Sequence, residues 1–323
     1  MCLRGLLSRE HSFSYDRDMS RKLLKSIATV LVLIITISGF IYYFVTHPLV
    51  RQQLSNTSFG TLALIFVLYI CVIGAISLVT YTTLLLCKLK LKAGESALLT
   101  AYASVVNFFG PLQSGPAFRG LYLKRKHGLH LKQYALAILV FYALYAGISG
   151  LFLLSGILGW WMLLAAVAAL AVLVLIHKSS IVVAVRLREL NLTAVYALAG
   201  ATLLQLALVA VIYFVELRAI SPGIHFGQAV IYAGAANFAL FVSITPGAIG
   251  FRESFLLFSQ RLHHISSGTI VAANILDRSM YIVLLAVLGM VIFGTHAQRR
   301  LHESTEHSET ERPGQRKTKT PRK

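Results

Sequence analysis

Acidic residues are scarce in this chain. Of 323 residues only 12 are Asp or Glu, against 30 Lys and Arg, for a formal net charge of +18. Between residues 26 and 294 there are just five acids: Glu95, Glu189, Glu216, Glu253 and Asp277. Charges of both signs make up 13% of the chain while 57% is apolar and mean hydropathy is +0.72. That combination excludes a water-soluble globular domain, a disordered chain and a collagen-like chain. Three cysteines exclude a disulfide scaffold, and the spacing of Cys2, Cys71 and Cys87 suits neither a zinc site nor a redox pair. His127 and His130 have no cysteine or carboxylate at ligand spacing, and His263 and His264 are adjacent, so no metal is expected. A nucleophile elbow, a phosphate-binding loop, a dinucleotide fingerprint and a metalloprotease motif are all missing. The expectation is no catalytic residue and no cofactor. Basic residues without interleaved aromatics argue against nucleic acid and for an anionic membrane surface as partner.

What the sequence does contain is long uncharged runs. Six are long and apolar enough to cross a bilayer as helices: Ser26–Val45, Leu62–Leu86, Tyr134–Leu154, Trp160–Ile176, Val195–Val215 and Gly268–Phe293. The first follows Arg21, Lys22 and Lys25 and is too long, with no small-residue cleavage site, for a secretory signal, so it reads as an uncleaved span. Two further apolar stretches, Ser96–Phe109 and Gln228–Ile244, each run into a Gly/Pro-rich break. The first reaches only about 21 Å of a ~30 Å hydrocarbon core.

Counting basic residues under each topology decides how those two stretches behave, because cytoplasmic loops hold most Lys and Arg. If both re-enter, twenty-five lie inside, four (Arg51, Arg218, Arg252, Arg261) lie outside, and Arg278 is buried; if both cross, the split is eighteen to eleven. The expected fold is therefore an all-α integral membrane protein with about six transmembrane helices and two re-entrant helical hairpins of opposite orientation, inverted-repeat-like. The expected domains are a basic cytoplasmic segment (1–25), a polytopic membrane body (26–294) and a disordered cytoplasmic tail (295–323). The matching features at the two breaks are Asn107 with Asn237, and Gly115-x-x-Phe118-Arg119 with Gly247-x-x-x-Phe251-Arg252.

Non-helical backbone inside a membrane is tolerated where it lines a cavity or is buried in protein, which makes the breaks the candidate site. Pro111, Gly115, Pro246, Gly247 and Gly250 are the expected hinges. Arg119 and Arg252 directly follow the breaks, where a guanidinium and freed N–H groups suit a phosphate or carboxylate. Asp277 and Arg278 fall mid-span, where a charge costs several kcal/mol unless paired or wet, and Asn274, Asp277, Arg278 and Tyr281 share a helical face. A structural ion pair locking that helix to a break is an equal alternative to ligand contact. Glu253 balances or orients an arginine. Gln113, Ser114 and Thr245 line a passage or cap half-helices, Gln205 reads as an interhelical hydrogen-bonding residue, and Glu216 and Arg218 read as solvated at a membrane boundary. The small residues of Tyr232–Asn237 permit close helix contact.

At these positions the sequence resembles the membrane domain of the lysylphosphatidylglycerol synthase/flippase family. The resemblance rests on Asn107 to Gly128 with Pro111, Gly115 and Arg119, on Thr245 to Glu253 ending in Gly-x-Arg-Glu, and on Asp277-Arg278-Ser-Met-Tyr281 leading to Gly289. It covers roughly residues 20 to 294. An acidic residue usual before the first arginine is absent, as is a charged pair often seen in the helix from Tyr134. With no synthase domain after Phe293, the resemblance implies only the lipid-translocating half of that activity. The expected function is a lipid transporter, flippase-like or scramblase-like, moving a phosphate-bearing phospholipid or isoprenoid-linked lipid across a cell inner or plasma membrane, with both termini cytoplasmic. A homo-oligomer is compatible with the sequence. The alternatives are a membrane-embedded enzyme on lipid-linked substrates and a scaffold of an envelope or glycolipid-synthesis complex.

Overall fold

The computed structural model describes residues 57–109, 114–159, 192–242 and 251–310, with isolated positions 45, 46, 48, 52, 55, 161 and 248. The expected spans at 26–45 and 160–176 lie almost wholly outside the described residues. So do Pro111, Gln113, Thr245, Pro246, Gly247 and Gly250, and the final residues 311–323.

The described residues form nine helices and no strand: α1 (Phe59–Leu86), α2 (Ala93–Phe109), α3 (Ser114–His127), α4 (Leu131–Leu158), α5 (Leu192–Ile220), α6 (Phe226–Val242), α7 (Phe251–Phe258), α8 (Gln260–His263) and α9 (Ser267–Thr310). Four of them, α1, α4, α5 and the first 26 residues of α9, are long and apolar enough to cross a membrane. This marks a membrane-embedded protein, and these helices correspond to four of the six expected spans, their N-termini beginning one to three residues earlier.

The spanning helices are apolar all round, as expected of helices that face both protein and lipid. On α1, Ile65, Tyr69, Val72 and Val79 point into the bundle while Leu64, Val67, Ile70 and Leu78 point away from it. Ser58 caps the N-terminus by accepting from the Thr61 N–H at 3.2 Å. Its polar residues Thr80, Thr82 and Thr83 donate back to carbonyls one turn earlier, at 2.9, 2.9 and 2.7 Å, so no hydroxyl is stranded in hydrocarbon. At the other end of the chain, α9 continues to Thr310, where the polar composition led to an expectation of disorder from residue 295. A spanning helix supplies the nucleus, and each added residue then needs only propagation.

Helix α1 packs chiefly against α5, and α6 against α4. The second contact explains the small-residue run Tyr232–Asn237. Ala233, Ala235 and Ala236 are fully buried, and a Cβ at Gly234 would lie 2.3 Å from the Leu153 backbone nitrogen of α4. Only a bare Cα lets the two backbones approach that closely, a contact that substitutes for the missing hydrophobic driving force between helices in lipid. In the first break, Gly115 lies one residue into α3. It is a packing contact as well as a hinge candidate: a Cβ there would meet the Ala103 carbonyl oxygen of α2 at 2.8 Å. Pro116 follows in the first turn, where a missing N–H is tolerated.

Gly234→Ala should force α6 off α4 and lower stability by about 1–3 kcal/mol, the usual cost of overpacking. Thermal unfolding of the detergent-solubilised protein measures it, with Gly74→Ala, where a Cβ meets nothing within 4 Å, as the neutral comparison.

Candidate functional site

The short helix α7 brings the dipeptide Arg252-Glu253 against the dipeptide Asp277-Arg278 on α9. The pairs are crossed: Arg252 Nη2 lies 2.8 Å from Asp277 Oδ2, and Arg278 Nη2 lies 3.5 Å from Glu253 Oε1. Arg252 does not pair with its neighbour Glu253. Both members of the first pair are sealed, 4% and 5% exposed, whereas the Glu253 side chain remains 31% exposed. The Arg252–Asp277 approach is a close ionic contact whose N–H is not aimed along the line of centres, and Nε and Nη2 of Arg252 have no hydrogen-bond partner among the described residues.

Around this pair stand tyrosines from three other helices. Tyr69 of α1 donates its hydroxyl hydrogen to Asp277 Oδ1. The Arg252 guanidinium sits 5.3 Å from the Tyr213 ring centroid of α5, a cation–π geometry. Tyr232 of α6 stacks edge-on with Tyr213 at 5.2 Å and accepts from Asn274 Nδ2 at 3.2 Å. Tyr281 lies 5.5 Å from the rings of both Tyr69 and Phe108, joining α9 to α1 and to the end of α2. Each residue of the helical face Asn274, Asp277, Arg278 and Tyr281 thus has a protein contact, with Asn274 Oδ1 and Arg278 Nε unmatched among the described residues.

Arg119 is placed elsewhere. Its Nη1 donates to Thr80 Oγ1 of α1 at 2.6 Å, and Thr80 in turn accepts from Thr100 at 3.2 Å. It is half-buried, its Nε has no hydrogen-bond partner among the described residues, and no carboxylate pairs with it there. Tyr69 and Thr80 are eleven residues apart on α1, so the Asp277 and Arg119 contacts sit roughly 16 Å apart along one helix. Arg119 and the Asp277 partner of Arg252 contact α1 at different points along it.

The two asparagines hold different structures. Asn107 Oδ1 accepts from the Gly115 N–H at 3.3 Å, tying α3 to α2 across the first break. Asn237 Oδ1 accepts from Tyr145 of α4 at 2.9 Å, with its Nδ2 left without a partner. Gln205 Oε1 is likewise unmatched among the described residues.

Glu216 overturns its reading as a solvated boundary residue. Helix α5 continues past Val215 to Ile220, and Glu216 faces the bundle with no exposed surface and no hydrogen-bond partner for either oxygen among the described residues. Its rarity, one of five acids in the membrane body, was the available signal. Tyr69, Tyr213, Tyr232 and Thr80 carried none, since tyrosine and threonine inside apolar runs look like ordinary packing residues.

Each break also has a polar base. Glu95, in the first turn of α2, accepts at Oε1 from Tyr122 at 2.8 Å and contacts His127 at 2.8 Å and Lys126 at 2.9 Å, all at the far end of α3. Gln228, near the start of α6, donates to the His263 carbonyl at 3.0 Å, at the end of α8. The His263 ring is satisfied at both nitrogens, Nε2 to the Leu256 carbonyl and Nδ1 from the Ile265 N–H, and burial lowers its pKa. An open cleft of about 810 Å³ is lined by Leu257, Arg261, His264 and Ser266, away from both arginine sites. Comparison with known proteins finds no matching family model, no matching curated protein and no matching solved structure.

The hydrogen bond from His127, aided by Lys126 and Tyr122, holds the Glu95 carboxyl down at about 2. A lowered carboxyl stabilises the fold above the ordinary value near 4.5, and that contribution disappears as pH falls through about 2. Glu95→Gln should therefore melt lower than wild type at pH 7, with the gap closing progressively below pH 4.5, measured as paired thermal melts in detergent.

Proposed function

We propose that the chain is a polytopic lipid transporter, of flippase or scramblase type, that carries a phosphate-bearing phospholipid or isoprenoid-linked headgroup across a plasma or inner membrane. The observation that carries this reading is the set of guanidinium N–H groups left without hydrogen-bond partners inside the membrane body: Nε of Arg119, Nε and Nη2 of Arg252, and Nε of Arg278, among the described residues. A buried donor left unmatched costs about 1–3 kcal/mol. Phosphate oxygens are the acceptors that the guanidinium fork fits best. Arg119, half-buried and held among the described residues by a hydroxyl, is the receiving residue. Arg252 is held in reserve by Asp277 and becomes available when α7 moves. The separation of roughly 16 Å along α1 suits a headgroup handed from one depth to another.

On this reading α2–α3 and α6–α7–α8 are the two re-entrant hairpins, entering from opposite faces as inverted repeats, with both chain termini cytoplasmic. Helices α2 and α6 have 17 residues each, about 25 Å, short of a ~30 Å core. The polar contacts at each base, Glu95 with Lys126 and His127 and Gln228 with the His263 carbonyl, support hairpins that open onto an aqueous face. The charge tally supports the same orientation, as does the resemblance to the flippase family at both breaks. On this reading the sealed Arg252 belongs to a resting state, and differential affinity for phosphate must shift it.

Purified protein in liposomes carrying a fluorescent phospholipid tests the proposal. Wild type should move lipid between leaflets without a partner. Arg119→Ala should slow it at least about tenfold, the equivalent of ~1.4 kcal/mol, with the melting profile retained. Folded protein that moves no lipid, or an Arg119→Ala variant as fast as wild type, contradicts it.

A further inference from the structure

Glu216 has no part in the transport reading above, yet its surroundings are those of a group that binds a proton. It is fully enclosed, and neither carboxyl oxygen has a hydrogen-bond partner among the described residues. Glu216 lies one turn beyond Tyr213 on α5, whose ring holds the Arg252 guanidinium of α7 at 5.3 Å and packs on Tyr232 of α6, while Arg252 is paired with Asp277 of α9 and Asp277 with Tyr69 of α1. Tyr145 of α4 acts on Arg252 from the remaining side. Glu253, beside Arg252, is turned to Arg278. The cation held against Tyr213 is Arg252, and it is already engaged, with Nη2 at 2.8 Å from Asp277. The Tyr69 hydroxyl also goes to Asp277. Two buried carboxyls therefore stand beside one guanidinium, and Asp277 has both its ion pair and the Tyr69 hydroxyl. An unpaired carboxylate buried there would cost several kcal/mol, and a carboxyl in that position takes up a proton instead.

We infer that Glu216 and Asp277 form a one-proton exchange site, in which whichever carboxyl is not paired with Arg252 carries the proton. In the arrangement described, Asp277 is the anion and Glu216 the acid. When Arg252 turns from Asp277 to Glu216, the Glu216 O–H bond breaks and leaves its electron pair on the carboxylate. One proton is taken up by Asp277, so the charge of the site is unchanged. The proton passes directly or through admitted water. If the donor and acceptor face different aqueous sides during the change, the motion of α7 is linked to proton movement. This last link rests on the transport reading; the proton site itself does not.

Infrared difference spectroscopy of the purified protein reads the site directly, through the C=O stretch of a protonated carboxyl that shifts in heavy water. Wild type at neutral pH should show this band. It should be lost in Glu216→Gln, retained in Glu253→Gln, and lost in Asp277→Asn, where Arg252 is freed to pair with Glu216 and ionise it. A wild type without the band, a band that survives Glu216→Gln, or one that survives Asp277→Asn overturns the inference. Should Glu216→Gln fail to fold, Glu216→Asp keeps the acid and should shift the band, and an unshifted band overturns it equally. Lipid movement measured on the same preparations separates the two claims. The band with no lipid movement supports the proton site and removes the transport reading, whereas lipid movement with no band does the reverse.

Discussion

A guanidinium sealed inside a membrane body, away from water, needs an anion beside it, and for Arg252 that anion is Asp277. Helix α7 has only eight residues, too short to be stable alone. It is held by Leu256 packed into the core of α5, α6 and α9 and by crossed ion pairs to α9. The Tyr69 hydroxyl extends the network to α1 and the Tyr213 ring extends it to α5, so four helices converge on one charge pair. Removing Arg252 would leave Asp277 a buried carboxylate without its cation, a far larger loss than the net gain of forming the pair from water, whereas removing Asp277 would turn Arg252 to Glu216.

The rest of the bundle is built to bring those groups together. Threonine hydroxyls on α1 return to their own backbone, Gly234 lets α6 close on α4, and Gly115 lets α3 close on α2. Among the described residues the unmatched groups include N–H donors of three arginines and both oxygens of Glu216, alongside neutral groups such as Gln205 Oε1, Asn237 Nδ2 and Asn274 Oδ1. On the transport reading the arginine donors await an anion, and a buried carboxyl without a donor takes up a proton. Arg252, Arg278 and Glu216 lie around α7 and α9, with Arg119 set apart, which makes the short helix the element whose movement would change most.

Much of the architecture was legible because it rests on composition and periodicity. Runs of uncharged residues gave four spans whose ends shift only by the few residues over which helices extend past their apolar core, and the alanine- and glycine-rich run on α6 announced a close helix contact. The charged face on α9 was visible too, since Asp277 and Arg278 have no business in hydrocarbon without partners. Partner choice was not legible. Arg252 lies next to Glu253 in sequence, but adjacent helical residues point in different directions, and the crossed pairing with Asp277 and Arg278 follows from how α7 docks. Glu216 was misread because the apolar run seemed to end at Val215, while helix α5 carries its inward face one more turn. Tyr69 and Thr80 gave no warning, since a hydroxyl in an apolar helix becomes functional only through the residue that tertiary packing sets against it.

The most direct test of this account is a double-mutant cycle between α7 and α9, with Arg252→Gln, Asp277→Asn and the combination unfolded in the same lipid or detergent. Arg252→Gln should cost about 3–5 kcal/mol, and Asp277→Asn less, because Glu216 can take over the guanidinium. The double change should recover at least about 1.5 kcal/mol of their sum, the coupling expected of a close buried charge pair. Strictly additive losses would mean that the two side chains do not depend on each other, and the charge pair would no longer explain how α7 is held.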